Sequence, residues 1–279
     1  MDSKTSKAKC HRTAKIKTKA AVVPRVPQEI VDEILDHLAT DSDIGSLRAC
    51  ALVSTSWTPS SRRHLFHTVT FAPGDTSRWL KTFPVPEESP AHHVKDLIFS
   101  SWGYNDVPQK FLECLPWFTN VEKTTLQGHC KVVRSLLQTR LFWGLVQSIT
   151  SLTIDTDAVN LLQVRDIILQ LPNLDDLSLS GTPAKVAGMT FQGVGAALRG
   201  RFGGKLRLLE GCAREDVMNM LLEVPTGVRF TEVDIRGWSV CLLSAVRLVE
   251  ACGEALVKLS YMVSDHCKQC YPVPWSSWF

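Results

Sequence analysis

Leu174-Asp175-Asp176-Leu177-Ser178-Leu179 carries apolar side chains at its first, fourth and sixth positions. Its last four residues alternate polar with apolar, as a strand with one buried face requires. The same spacing recurs upstream as Phe66/Val69/Phe71, Val94/Leu97/Phe99, Val121/Thr124/Leu126 and Ile149/Leu152/Ile154. Downstream it recurs as Leu206/Leu209/Gly211, Phe230/Val233/Ile235 and Leu256/Leu259/Tyr261. The third members fall at 71, 99, 126, 154, 179, 211, 235 and 261, a mean spacing near 27 residues. Of 24 such slots 22 are apolar, where a chain of 44% apolar residues would fill about 11 by chance. Thr124 and Gly211 are the exceptions. A period of this length is the signature of units stacked in a row, none able to bury its apolar face alone.

Between the strands, residues 107–118, 131–146, 159–171, 191–202, 215–224 and 240–251 each show the i, i+3/i+4 apolar spacing of a helix. The segment Gly74–Pro90, rich in Pro, Ser and charge, reads as a loop. Strand and helix in alternation predict an α/β fold with a parallel sheet. The pattern resembles a leucine-rich repeat, here degenerate, spanning residues 67–279 in about seven to eight irregular units. The resemblance implies a solenoid with parallel strands inside and helices outside. Where the family usually has Asn or Cys, three residues past the last strand position, this chain has Trp102, His129, Asp157, Thr182, Arg214, Trp238 and Ser264. Its turns must therefore satisfy their backbone groups in another way. Leu256–Phe279 reads as a truncated last unit or a cap.

Residues 24–66 have a different texture. Ile30, Val31, Ile34, Leu35 and Leu38 recur at helical spacing behind Pro27, with Glu29, Asp32, Glu33 and Asp36 opposite them. Pro27 and early carboxylates suit a helix N-terminus. Residues 41–45 form a connection, Leu47 to Val53 a second short helix, and Ser54 or Ser56 can cap a third that runs from Trp57 to Leu65. On the plainest reading every apolar residue here fills the core of a small three-helix bundle. The string Val26-Pro27-Gln28-Glu29-Ile30, then Ile34, Leu38, Leu47, Cys50, Leu52-Val53-Ser54, Trp57, Pro59, Arg62 and Leu65-Phe66 resembles an F-box. Val26 departs from the leucine that usually opens the motif but keeps its apolar character. The resemblance implies docking to the Skp-type adaptor of a cullin-RING ubiquitin ligase through Val26, Pro27, Ile30, Ile34, Leu52, Val53 and Trp57. A bundle this small cannot enclose all its large apolar residues, which suits a partner surface.

The chain has 279 residues, 33 of them leucine, and near-average apolar and charged content, which excludes collagen-like and wholly disordered classes. No apolar run is long enough to span a membrane, and the N-terminus lacks the apolar stretch of a signal peptide. Nine scattered cysteines without an export signal read as mostly reduced core residues of a cytoplasmic or nuclear protein. Residues 1–20 hold seven basic residues against Asp2, so the net charge of +3 is a +6 tail on a body of −3. Residues 1–23 are expected to be a disordered basic arm. Nuclear import and non-specific phosphate binding are the alternatives, but no aromatic residue is interleaved for base stacking, and nucleic acid is not an expected partner.

Few sites suggest chemistry. Cys267 and Cys270 have the spacing of half a zinc knuckle, with no second pair at a suitable distance, so packing outweighs metal or redox use. Gly193-Val194-Gly195 lacks the third glycine of a dinucleotide loop, and His92-His93 reads as a loop pair at a unit junction. No catalytic constellation, metal site or cofactor is expected. The F-box resemblance implies a substrate receptor, and its rival is a repeat scaffold with no ubiquitin role. The unknown target protein is expected on the inner sheet face. In this register that face holds Asp96, Ile98, Ser100; Lys123, Thr125, Gln127; Ser151, Thr153, Asp155; Asp176, Ser178, Ser180; Leu208, Glu210, Cys212; Glu232, Asp234, Arg236; and Lys258, Ser260, Met262. Six acidic and three basic residues give it a net charge of −3 and favour a basic target segment. Asp155, Asp176 and Asp234 would steer such a target, and Trp102 and Trp238, just past two strands, are the candidate aromatic anchors.

Overall fold

The structure, a computed structural model, describes residues 26–145, 148–159, 164–165, 171, 173–183, 202–223, 227–237 and 242–263. The basic tail, Gly193–Gly195, Trp238 and Cys267–Cys270 lie outside the described residues.

Among the described residues eight strands follow the period. They are β1 Thr68–Phe71, β2 Asp96–Ser100, β3 Lys123–Gly128, β4 Ser151–Val159, β5 Asp176–Pro183, β6 Phe202–Leu209, β7 Val228–Gly237 and β8 Lys258–Val263. They form one sheet in chain order, β1 to β8, every neighbouring pair parallel. The fold is α/β. Parallel neighbours cannot be joined by a tight turn, so each connection must cross over and return. The described crossovers carry α4 Asp75–Thr82, α5 Gln109–Cys114, α6 Cys130–Leu137, α7 Arg140–Leu145 and two later helices, Glu215–Leu222 and Leu242–Cys252.

Matching register positions line up as rows across the sheet. Leu97, Leu152, Leu177, Leu206 and Val233 form one row with Thr124, and Phe99, Leu126, Ile154, Leu179, Leu208 and Ile235 form a second. The apolar members join Phe111, Leu115, Val132, Leu136, Phe142, Val217, Met218, Leu221 and Leu248 from the helices in one continuous core. Thr124 takes an apolar slot, and its buried hydroxyl has no hydrogen-bond partner. The described helices therefore pack against one face of the sheet.

Two expectations need correction. Gly74–Pro90 is not a loop: it holds α4, whose Trp79 is buried among Phe66, Phe71, Phe83 and Phe118 at ring-centroid distances of 5.0–6.0 Å. Its single large aromatic gives no periodicity to read, yet that ring anchors the helix. The second correction concerns β6. Leu206 pairs in register with Leu177 and Leu208 with Leu179, so the unit reads Gly203/Leu206/Leu208 instead of Leu206/Leu209/Gly211. Leu206 and Leu208 are fully buried, while Leu209 is half-exposed on the opposite face. A slip by an odd number of residues turns every side chain over. With 208 as the third member, the flanking intervals become 29 and 27 residues in place of 32 and 24.

The units are tied at both ends of the strands. The carbonyl groups of His67, Lys95, Glu122 and Thr150 each accept two consecutive N–H groups at the start of the next strand, at 2.7–3.1 Å. At the other end no asparagine row is present, and substitutes differ from turn to turn. The Ser101 N–H donates to the Gln127 carbonyl at 2.7 Å, and the Ser101 hydroxyl accepts the His129 N–H at 2.9 Å. The Tyr104 hydroxyl donates to the Ala72 carbonyl and accepts from the Gly74 N–H. The Cys212 thiol donates to the Gly181 carbonyl at 3.1 Å. Gly181 has φ of +119°, and any Cβ there would run into the Thr156 carbonyl.

Candidate functional site

Residues 26–66 fold as three helices, α1 Gln28–Thr40, α2 Ile44–Val53 and α3 Thr58–Leu65. Pro27 is the residue before α1, and its carbonyl accepts the Ile30 and Val31 N–H groups at 3.2 Å. Asp43 caps α2 by accepting the Ser46 N–H at 3.0 Å, and hydrogen bonding from the Ser46 side chain, followed by that N–H, holds its carboxyl below the ordinary carboxylate value. Neither Ser54 nor Ser56 caps α3. Their hydroxyls bond each other at 3.0 Å, and Thr58 closes the junction by donating to the Ala51 and Ser54 carbonyls. Across the bundle, Asp32 accepts from Ser60 at 2.6 Å, and Asp36 pairs with Arg63 at 3.1 Å and His64 at 2.8 Å.

The apolar stripe of α1 divides into two faces. Val31 and Leu35 turn inward and meet Leu47, with Leu38, Ala39, Cys50, Trp57 and Leu65 packed around them. Ile30 and Ile34 turn outward and stand 46% and 41% exposed, in line with exposed Val26 and Pro27. Leu52 and Val53 close α2 at 88% and 68% exposed. Six expected contact residues, Val26, Pro27, Ile30, Ile34, Leu52 and Val53, are thus solvent-facing on a folded bundle. Trp57, the seventh, is placed differently: it is half-buried against the small core, where it supports the bundle. With three fully buried apolar residues the bundle has little core of its own. It is joined to the sheet through Phe66, whose ring meets Trp79 and Phe83 edge-on at 6.0 and 6.1 Å.

The helix-free face of the sheet is the second surface. Its rows are Asp96, Lys123, Ser151, Asp176, Lys205, Glu232, Lys258; then Ile98, Thr125, Thr153, Ser178, Arg207, Asp234, Ser260; then Ser100, Gln127, Asp155, Ser180, Leu209, Arg236, Met262. The β6 correction replaces Leu208, Glu210 and Cys212 by Lys205, Arg207 and Leu209. That leaves five acidic and five basic residues, so the expected net charge of −3 is in fact zero. The charges also pair: Arg207 with Asp176 at 3.2 Å, Lys205 with Glu232 at 3.2 Å and Arg236 with Asp234 at 2.7 Å. Asp176 and Asp234 are therefore neutralised in place and do not form a field for a basic target. Asp155, half-buried between Gln127 and Ser180, takes part in none of these pairs. Asp96 has a buried, unpartnered Oδ1, and burial pushes its carboxyl up against the opposing pull of Lys123.

Trp102 stands 47% exposed just past β2, its ring edge-on to His129 at 5.2 Å. His92 and His93 lie in a 3-10 turn, ring centroids 3.9 Å apart. Among the described residues no group of three or more His, Cys, Asp or Glu is placed to hold a metal. Burial pushes the Cys114 thiol up to about 12 and raises that of Cys252. No described helix is long and apolar enough to cross a membrane. Comparison of the chain with family models, curated proteins and solved structures gave no match in any of the three.

Proposed function

We infer that residues 24–66 act as an F-box and that the chain is a substrate receptor of a Skp–cullin–F-box type ubiquitin ligase. The parallel sheet with its outer helices is read as a degenerate leucine-rich-repeat domain that presents its helix-free face to a target protein. The observation that carries this reading is the exposed apolar set on the bundle. Val26, Ile30, Ile34, Leu52 and Val53 face solvent although inward positions on the same helices take Val31, Leu35 and Leu47. Exposing this much apolar side chain on so small a bundle is unfavourable unless a partner covers it. The chain contributes no bond-making step of its own. The adaptor fixes one end, the target is held at the other, and the tether raises the target's effective concentration near a ubiquitin-charged enzyme brought by other subunits.

The test is co-purification of the full chain with a Skp-type adaptor, unaltered and with Val26→Asp, Ile30→Asp and Leu52→Asp. The expected result is a stable complex, weakened at least tenfold by each replacement, with the melting temperature of the isolated chain unchanged. An unaltered chain that fails to bind, or binding indifferent to all three, overturns the assignment and leaves the scaffold with no ubiquitin role.

A further inference from the structure

The joint between the bundle and the sheet gathers basic side chains without matching counter-charges. Arg62, Arg63 and His64 lie in the last turn of α3, and His92 and His93 end the 3-10 turn Pro90–His93. The two elements pack against each other. The turn is firmly seated: Pro90 and Ala91 are buried, and the Asn120 amide donates to the His92 carbonyl at 2.7 Å. Asp36, the carboxylate on the bundle side, is already engaged by Arg63 at 3.1 Å and His64 at 2.8 Å. Past the turn, Glu122 pairs with Lys95, and Asp96 is drawn on by Lys123 and His67. Among the described residues, Arg62, His92 and His93 have no carboxylate partner, and Glu87 and Glu88 on the preceding turn pair with none of them.

These three side chains are open to a ligand. Arg62 and His92 are exposed and His93 is half-buried. The His92 Nδ1 lies 3.0 Å from the Ser89 carbonyl, so it donates there and leaves Nε2 as the nitrogen that takes a proton. The rings of His92 and His93 have centroids 3.9 Å apart, so charging both without an anion sets like charges side by side. Burial first, then His92, Arg62 and Arg63, hold His93 below its ordinary value of 6.5. A carboxylate laid between them reverses that balance: it accepts from the guanidinium and favours the protonated rings. Neither element carries a Phe, Tyr or Trp on which a base could stack, which favours a protein over a nucleic acid. An open seam of several cationic groups suits an extended segment with several carboxylates. We propose that this seam of α3 and the Pro90–His93 turn binds an acidic peptide segment of a protein partner, whose carboxylates meet Arg62, His92 and His93. It shares no residue with the exposed apolar set of the bundle or with the helix-free face, and does not depend on the adaptor reading.

Fluorescence anisotropy of a labelled hexaglutamate peptide titrated with the full chain tests this, with hexaglutamine as the neutral control. Hexaglutamate should bind more tightly at pH 6 than at pH 8, because the bound form holds the proton that free His93 gives up. Arg62→Gln should weaken binding about fivefold at both pH values. His93→Gln should weaken it mainly at pH 6 and remove most of the pH dependence. Arg62 is exposed, so its replacement leaves the fold intact and decides the matter even where His93→Gln disturbs packing. Residues 1–20 are also basic, but neither replacement alters them. Binding indifferent to both replacements therefore belongs to the tail and overturns the proposal. Inorganic phosphate that binds as tightly as the peptide also overturns it, in favour of a compact phosphate site.

Discussion

Leu208 and Leu209 are chemically identical neighbours with opposite surroundings, and truncating each separates the observed register of β6 from the slipped one. Leu208 is fully buried between Leu179 and Ile235, beneath the helices. Leu208→Ala removes three buried carbons, worth roughly 2 kcal/mol of transfer free energy, and leaves a cavity that a packed core only partly closes. A total near 3 kcal/mol is expected, a fall in melting temperature of roughly 6–12 °C for a domain of this size. Leu209 is half-exposed in the row of Ser180 and Arg236, with no described helix above it. Its truncation opens no enclosed cavity and should cost less than about 1 kcal/mol. The assay is thermal denaturation followed by circular dichroism, with Leu208→Lys and Leu209→Lys as a harsher pair: the first should unfold β6 and its neighbouring units and the second be tolerated. Loss from Leu209→Ala equal to or larger than that from Leu208→Ala would refute the register, and with it the balanced charge of the helix-free face.

Gly181→Ala should destabilise by about 2 kcal/mol or more, because positive φ and the Thr156 carbonyl both oppose a Cβ; Gly74→Ala, at φ +91° with open space around it, should cost only the backbone strain of about 1 kcal/mol. Urea unfolding of the two variants checks the difference. His93 is held below its ordinary value of 6.5 by burial, with His92, Arg62 and Arg63 adding to the effect. The unfolded chain then binds the extra proton first, so this contribution to stability is present above pH 6.5 and lost as pH falls below it. His93→Gln should flatten that decline between pH 7 and 5 in a series of melting curves.

The eight strands were legible because each unit repeats one apolar spacing at nearly one interval, and the array can bury that spacing in only one way. The exception shows what periodicity lacks. Leu206, Leu208 and Leu209 offer two strand phases of equal apolar content, while Gly203 leaves the first slot of the true unit without a side chain. Only pairing with β5 and β7 decides between them. A similar degeneracy hides the two faces of α1. Ile30, Val31, Ile34 and Leu35 fit one broad apolar stripe, and the turn that meets Leu47 and Trp57 is set by where α2 and α3 lie. Asp176 and Asp234 were visible as sheet-face carboxylates, but their neutralisation depends on cross-strand and local partners, above all on Arg207, which the slipped phase hides. The turn substitutes Ser101, Tyr104 and Cys212 share no side-chain chemistry and stand at no common position, so no pattern announces them.

The order β1 to β8 means that each strand bonds only to its immediate predecessor and successor in the chain. Cooperativity in such an array is carried along one axis, as in a row of coupled links, and not through a common centre. Folding can begin wherever neighbouring units are locally strongest, and contacts close in sequence keep that search fast. A lesion in β4 should therefore fray its neighbours while distant units retain their structure, giving partly unfolded species where a compact domain would lose everything at once. Whole units of about 27 residues can likewise be gained or lost without redesigning the remainder. The sheet can thus lengthen or shorten over generations while the N-terminal bundle keeps its own contacts.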